Sequence, residues 1–368
     1  MQLMPRSWPV IALTLVGCVG LGVLSWRPAI GAPHAIKAAN WSGGAVFTGG
    51  GKQFDRCSAT STNAKGMAIT YAMDSQLRWS LAISNPDWTF TDDFSLSINL
   101  SLDGRPFRGR ALVRESKSLL IHVDDQIALF AGLRMAAQLR ATAGGLVIEF
   151  DLANSSEALS AVAQCALRQG SSSASGGPKN PAKGKSIRVE SVPDAGAQKE
   201  VLGFANAIKG HASIGGFRVL PVADSLPGSL AAVGWSAESA AGVVMIVPPN
   251  TAARPGEVKS RAIEYEQRKC RGEYFFASDI ATLEQAEVAR VYVACKMPES
   301  TAITYYTAVP RTKGGAYVVT NASGQGFALI LQRQTETADG KLRGAILEAL
   351  RRFDQGPEAR ERPADGSE

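Results

Sequence analysis

The strongest constraint on this chain lies in Ser95–Leu102, where Leu96, Ile98, Leu100 and Leu102 alternate with Ser95, Ser97, Asn99 and Ser101. Side chains along a strand point to opposite faces in turn, so apolar groups line one face and polar groups the other. The next residues, Asp103 and Gly104, suit the left-handed backbone of a two-residue hairpin turn, which returns the chain antiparallel through Phe107–Val113. Leu77, Trp79, Leu81 and Ile83 repeat the alternation upstream. A half-buried antiparallel sheet follows.

A further strand over 145–152 runs into Asn154-Ser155-Ser156-Glu157. Asn154 can cap the free amides of a helix start, and Glu157 can reach back to it as a capping box. Leu159, Val162 and Ala166 then share one helical stripe with Cys165 beside it, and a second helix is predicted over 125–136. Residues 169–185 carry Gly, Ser, Pro and Lys without a large apolar side chain, the composition of a flexible linker. They divide a β-rich domain, 36–168, from a second domain, 186–353. In the second, helical spacing over 198–209 and 258–269 is mixed with strands at 243–247, 274–277, 288–294, 303–309 and 327–331 and a final helix at 342–353. The fold class is therefore α+β: a mainly antiparallel β-sheet with one or two packed helices, then an α+β layered sandwich. Residues 354–368, charged and holding Pro357 and Pro363, read as a disordered tail.

The amino end carries an address. Arg6 precedes an apolar run from Trp8 to Trp26, and small residues follow at Ala29, Gly31, Ala32 and Ala35, the layout of a signal peptide over 1–35. Two alternatives stay open. Leu15-Val16-Gly17-Cys18 has the form of a lipobox that would make Cys18 a lipidated first residue, and the apolar run is nearly long enough to remain as a membrane anchor. Each of these readings exports the rest of the chain, to the periplasm or beyond the cell. A membrane is then met only through an uncleaved or lipidated N-terminus.

Beyond Cys18 stand Cys57, Cys165, Cys270 and Cys295, an even set that outside a reducing cytosol points to disulfides. Of the three pairings that four cysteines allow, Cys57 with Cys165 and Cys270 with Cys295 keeps each bridge inside one domain. Buried free thiols are one alternative and a zinc site another, although no pair has close metal-ligand spacing and the chain has 3 His.

Charge excludes one partner class. The formal net charge is +6, but 36–168 carries +1 and 186–353 carries +3, so neither domain has the concentrated basic field of a nucleic-acid binder. No catalytic motif stands out. Gly234-Trp235-Ser236-Ala237-Glu238 fails the nucleophile-elbow pattern at its last position, and Gly49-Gly50-Gly51-Lys52 and Lys313-Gly314-Gly315 lack phosphate-loop spacing. His122, within Leu119–Asp125, and His211 are the candidate bases of a hydrolase, read otherwise as a solvated strand residue and a helix-end residue. Asp92-Asp93 and Asp124-Asp125 read as solvated or helix-starting carboxylates. Trp79, Trp88, Phe90, Tyr305 and Tyr306 read chiefly as core, and if exposed could stack on sugars. No cofactor and no metal is expected.

The pattern Leu119–Val123, then 125–136, then Gly144-Gly145-Leu146-Val147-Ile148-Glu149-Phe150-Asp151-Leu152 leading into Ser155–Leu159 resembles the closing part of the invasion-associated locus B type of exported bacterial protein. The resemblance implies an exported β-rich module with disulfides and assigns no catalytic residue. The second domain is similar in architecture to the α+β sandwich of PsbP and Mog1-like proteins, which implies no function. The sequence thus leads to a non-enzymatic, exported binding or scaffolding protein of the envelope, with an envelope protein or glycan as partner and no nucleic acid. A hydrolase built around His122 or His211 and a lipid- or glycan-binding module are the alternatives.

Overall fold

The structure, a computed structural model, describes residues 35–351 apart from 52, 92–93, 174–194, 213, 221–226, 238–239, 284–285, 299 and 323–338. The leader up to residue 34, the linker from 174, Asp92-Asp93, the strand expected at 327–331 and the tail at 354–368 lie outside the described residues.

Residues 36–151 supply ten strands: β1 (Ile36–Ala38), β2 (Trp41–Thr48), β3 (Gln53–Thr62), β4 (Ala68–Asp74), β5 (Trp79–Ser84), β6 (Ser95–Leu102), β7 (Arg105–Glu115), β8 (Ser118–Val123), β9 (Gln138–Ala143) and β10 (Leu146–Asp151). They form one sheet in the order β1-β2-β3-β4-β5-β8-β7-β6-β9-β10, with every pair antiparallel. The alternation in β6 is realised: Ile98, Leu100 and Leu102 are buried while Ser95, Ser97 and Asn99 face solvent. Asp103 and Gly104 turn the chain with φ of 47° and 87°. The Asp103 carboxylate also accepts from the amides of Ala137 and Gln138, both at 2.9 Å, which fastens this turn to the start of β9. Upstream, Leu77 belongs to a turn rather than to the strand. Its φ is 62°, and the Asp74 carboxylate gathers the Gln76 and Arg78 amides at 2.9 Å, so β5 begins only at Trp79.

Two helices complete this part. Asp125 caps α1 (Gln126–Leu133) by accepting from the Ala128 amide at 3.1 Å. The second, α2 (Ser155–Ser173), buries Ala158, Leu159, Val162, Ala163, Cys165 and Ala166, and it continues into the first residues of the segment read as linker. Asn154 enters it with a left-handed backbone, φ 61°, and its main-chain carbonyl accepts from the Ala158 amide.

The second part contains α3 (Ala195–His211), β11 (Arg218–Leu220), β12 (Ala231–Ser236), β13 (Ala241–Val247), α4 (Pro255–Lys269), β14 (Glu273–Leu283), β15 (Ala286–Lys296), β16 (Thr301–Pro310), β17 (Ala316–Ala322) and α5 (339–351). Its seven strands form a second antiparallel sheet, ordered β11-β12-β13-β17-β16-β15-β14. Pairing places Val244, Val319, Thr307, Arg290 and Asp279 in one row across the sheet. The next row, on the opposite face, is Met245, Val318, Ala308, Ala289 and Ile280. Val201, Phe204 and Ile208 of α3 and Leu342, Ile346 and Leu350 of α5 pack on the first face, in a core with Val244, Val309 and Val319. Val258, Ala262 and Ile263 of α4 share a core with the other face. With both faces covered, β13, β15, β16 and β17 are buried almost continuously.

The apolar core of the second sheet continues into the first sheet across β14, through the face that carries Arg290 and Asp279. The Trp79 ring stacks on Phe130 and on Phe275, with centroids 4.9 and 5.7 Å away, and its Nε1 donates to the Phe276 carbonyl at 2.8 Å. The β4–β5 turn reaches over the free edge of β14: Ser278 Oγ donates to the Leu77 carbonyl at 3.1 Å and Lys259 Nζ to the Gln76 carbonyl at 2.8 Å. Both expected disulfides are present. Cys57–Cys165 joins β3 to α2, and Cys270–Cys295 joins the end of α4 to β15.

Candidate functional site

The residues singled out by sequence for chemistry do not converge. His122 lies exposed on β8 beside Arg110 of β7, and His211 is the half-buried last residue of α3. Ser236 ends β12, the glycines at 49–51 turn between β2 and β3, and Gly314 and Gly315 turn between β16 and β17. Trp79, Tyr305 and Tyr306 are core residues, and Trp88 and Phe90 pack half-buried against the same core. Asp125 is structural, as a cap and as an ion-pair partner.

That ion pair belongs to a charge cluster for which the sequence carries no motif. Arg290, buried on β15, faces Asp339 at the start of α5 at 3.2 Å, the helix-capping Asp125 at 3.4 Å and Asp279 of β14 at 3.8 Å. Arg343, one turn along α5, lies 3.7 Å from Asp125. Burial pushes the carboxyls of Asp279 and Asp339 up against the pull of Arg290. For Asp125 burial acts in the same sense, but Arg290, the Ala128 amide and Arg343 outweigh it and hold the group below the usual range. The cluster fastens α1, α5 and the second sheet to one another.

A second charged group sits on α3. Glu200 receives Arg311 Nε at 2.5 Å and Nη2 at 2.8 Å, Tyr317 Oη at 2.7 Å and Lys313 Nζ at 3.2 Å. The Arg311 hydrogen bonds lead in holding its carboxyl down at about 2, against the opposing effect of burial. A carboxyl whose folded value lies below its unfolded one stabilises the fold above the unfolded value and loses that contribution as pH falls toward the folded one. Stability should therefore fall between pH 4.5 and about 2, and Glu200→Gln should flatten that part of the curve. Urea midpoints of wild type and variant across that range are the measurement; parallel curves would show that Glu200 contributes no pH dependence.

Two of the cavities on the described surface are lined by charged side chains. The larger, about 420 Å³, runs along α4 and is lined by Val247, Val258, Tyr265, Arg261, Glu264 and Arg268 together with Pro227 and Thr251. Val247 and Val258 are buried, whereas Arg261 and Arg268 are exposed and neither pairs with a described carboxylate. Two guanidiniums two turns apart above an apolar base form a groove suited to carboxylate or phosphate groups. The smaller, about 190 Å³, lies between the two parts of the molecule, against Arg134 and Lys296. Neither His122 nor His211 lines either one. Among the described residues no group of His, Cys, Asp and Glu is placed to hold a metal ion, and no helix is long and apolar enough to cross a membrane.

The sequence reading missed Arg261 and Arg268. Their seven-residue spacing on an amphipathic helix was available as a signal, but a charged outer face is the usual condition of such a helix. Compared with protein-family models, with curated proteins and with solved structures, the chain matches none.

Proposed function

We propose that the chain is an exported protein of a bacterial envelope, periplasmic or secreted, that binds a partner rather than transforming a substrate. The observation that carries this reading is the pairing of all four cysteines beyond the leader, Cys57 with Cys165 and Cys270 with Cys295, which fits an oxidising compartment. The first sheet, closed by α2, supports the resemblance of 36–168 to the exported invasion-associated locus B type. The groove on α4 is the contact surface, and the chemistry of Arg261 and Arg268 selects an acidic segment of another envelope protein. Neither histidine lines either of these two cavities, which supports binding over hydrolysis.

Expressed with its leader, the full chain should be recovered from the periplasm with both bridges formed. A photo-crosslinking residue at Thr251 should trap one partner in intact cells, and R261E/R268E should reduce the yield at least about tenfold. The same probe at the exposed Ser97 of β6 should trap none. Cytoplasmic retention with free thiols, or equal trapping from Ser97, would refute the proposal.

A further inference from the structure

Arg134 is the residue whose position the fold leaves least explained. It follows α1 directly, and its side chain is only 3% exposed. Its guanidinium stacks on the Phe275 ring at 4.6 Å, which accommodates the flat face of the group but none of its donors. Among the described residues the Nε proton has no acceptor, and the carboxylate paired with the group there, Glu273, stands 4.0 Å from Nη2, outside hydrogen-bond range. A buried cationic donor without an acceptor costs free energy, so its retention needs a reason.

The cavity that Arg134 lines supplies one. Its lower wall is one end of the first face of the second sheet, where Lys296 of β15 and Thr301 of β16 are register partners, with Tyr292 and Ile303 further along the same face. Its upper wall is Arg134, Met135 and Ser156, the last in the first turn of the 19-residue α2. Glu273, register partner of Lys296, sits beside this space. It accepts from Ser160 at 2.7 Å and Ser156 at 3.1 Å and lies 3.8 Å from Lys296. Burial alone would raise its carboxyl, but Ser160, Arg134, Ser156 and Lys296 together hold it below the ordinary range, so it is ionised at neutral pH.

We infer that this cavity binds a small organic monocarboxylate, with Arg134 as the principal anchor and Lys296 as a second charge. The charges decide the valence: Arg134 and Lys296 against Glu273 leave one positive charge, which one carboxylate neutralises. The walls decide the class. A planar carboxylate suits the guanidinium edge, and Ile303, Met135 and Tyr292 offer apolar contact that an inorganic oxyanion would leave unused. A cavity of about 150 Å³ accepts benzene, so one of about 190 Å³ admits a carboxylate with an apolar part of similar size. The first turn of α2 adds a favourable dipole to the same space. This site is separate from the α4 groove.

Isothermal titration of the full oxidised chain with sodium benzoate tests the inference, with benzamide as the neutral isostere and sodium sulfate as the inorganic anion. Benzoate should bind saturably at one site, and benzamide and sulfate should each bind at least about tenfold more weakly. R134M should abolish benzoate binding. Because Arg134 is buried, K296M provides the arm that does not depend on refolding: Lys296 is 59% exposed, so the variant should keep its unliganded melting temperature and lose about tenfold in affinity. R134M leaves Arg261 and Arg268 intact, so loss of benzoate binding in it separates this site from the groove. Absence of saturable benzoate binding, sulfate binding as tightly as benzoate, or unchanged affinity in K296M would each overturn the assignment.

Discussion

The double substitution C57A/C165A should lower the stability of the oxidised protein by about 4 to 5 kcal/mol, the chain-entropy value for a loop of roughly a hundred residues. The bridge spans a sequence separation of 108 and ties β3 to α2, so its removal frees the longest covalently closed loop in the described structure. The corresponding pair C270A/C295A closes a separation of 25 and should cost about 3.5 kcal/mol on the same basis. Urea unfolding of the three oxidised proteins measures both. The two bridges should also differ in chemistry. Cys57 and Cys165 are fully buried, whereas Cys270 and Cys295 are partly exposed, next to Arg271 and Lys296 in sequence. Attack by an external thiolate needs access to sulfur, and nearby cations favour it, so graded dithiothreitol should open Cys270–Cys295 first. Alkylation of the released thiols followed by peptide mapping reads the order. Simultaneous loss of both, or earlier loss of Cys57–Cys165, would show that global unfolding rather than local access controls reduction.

Where one face of an element meets water, the sequence can carry its mark, although the half-solvated β9 was not read from it. β6 and its Asp103-Gly104 turn were legible because a period of two on a half-solvated strand is written directly in alternating side chains, and the turn needs residues that tolerate positive φ. The strands of the second sheet were harder. β17 was not anticipated, since burial on both faces replaces alternation with an unbroken apolar run such as Ala316–Val319. Leu77 was misplaced because apolar character records burial and not backbone conformation, and only the Asp74 carboxylate, three residues earlier, dictates the turn there. The cysteine pairing was legible because each pair falls within one half of the chain. The cavities were not. Arg134, Ser156, Lys296 and Thr301 come together only once the two sheets share a core, and that core depends on Trp79 meeting Phe275, a contact across nearly two hundred positions. No local pattern encodes such a meeting.

The same long-range assembly makes Arg290 the residue whose loss should be felt most outside the disulfides. R290M roughly keeps the volume and removes the guanidinium that pairs with Asp125, Asp279 and Asp339, leaving Arg343 beside Asp125. Breaking a buried ion pair by removing one partner typically costs about 3 to 5 kcal/mol, because the remaining charge stays buried and uncompensated. Asp339 is 4% exposed and Asp279 is already pushed up by burial, so both carboxyls should take up protons in the variant at higher pH than in the wild type. A carboxyl whose folded value lies above its unfolded one favours the fold at low pH and loses that advantage as pH rises through the folded value. The deficit of R290M should therefore be largest at neutral pH and shrink at acidic pH, which is opposite in sense to the contribution of Glu200. Adding Asp339→Asn to R290M removes the most deeply buried of the stranded charges and should restore part of the loss. Chemical denaturation of wild type, R290M and R290M/D339N at neutral and acidic pH decides the matter. A deficit in R290M that does not change with pH would mean that packing, and not charge, holds α1 and α5 against the second sheet.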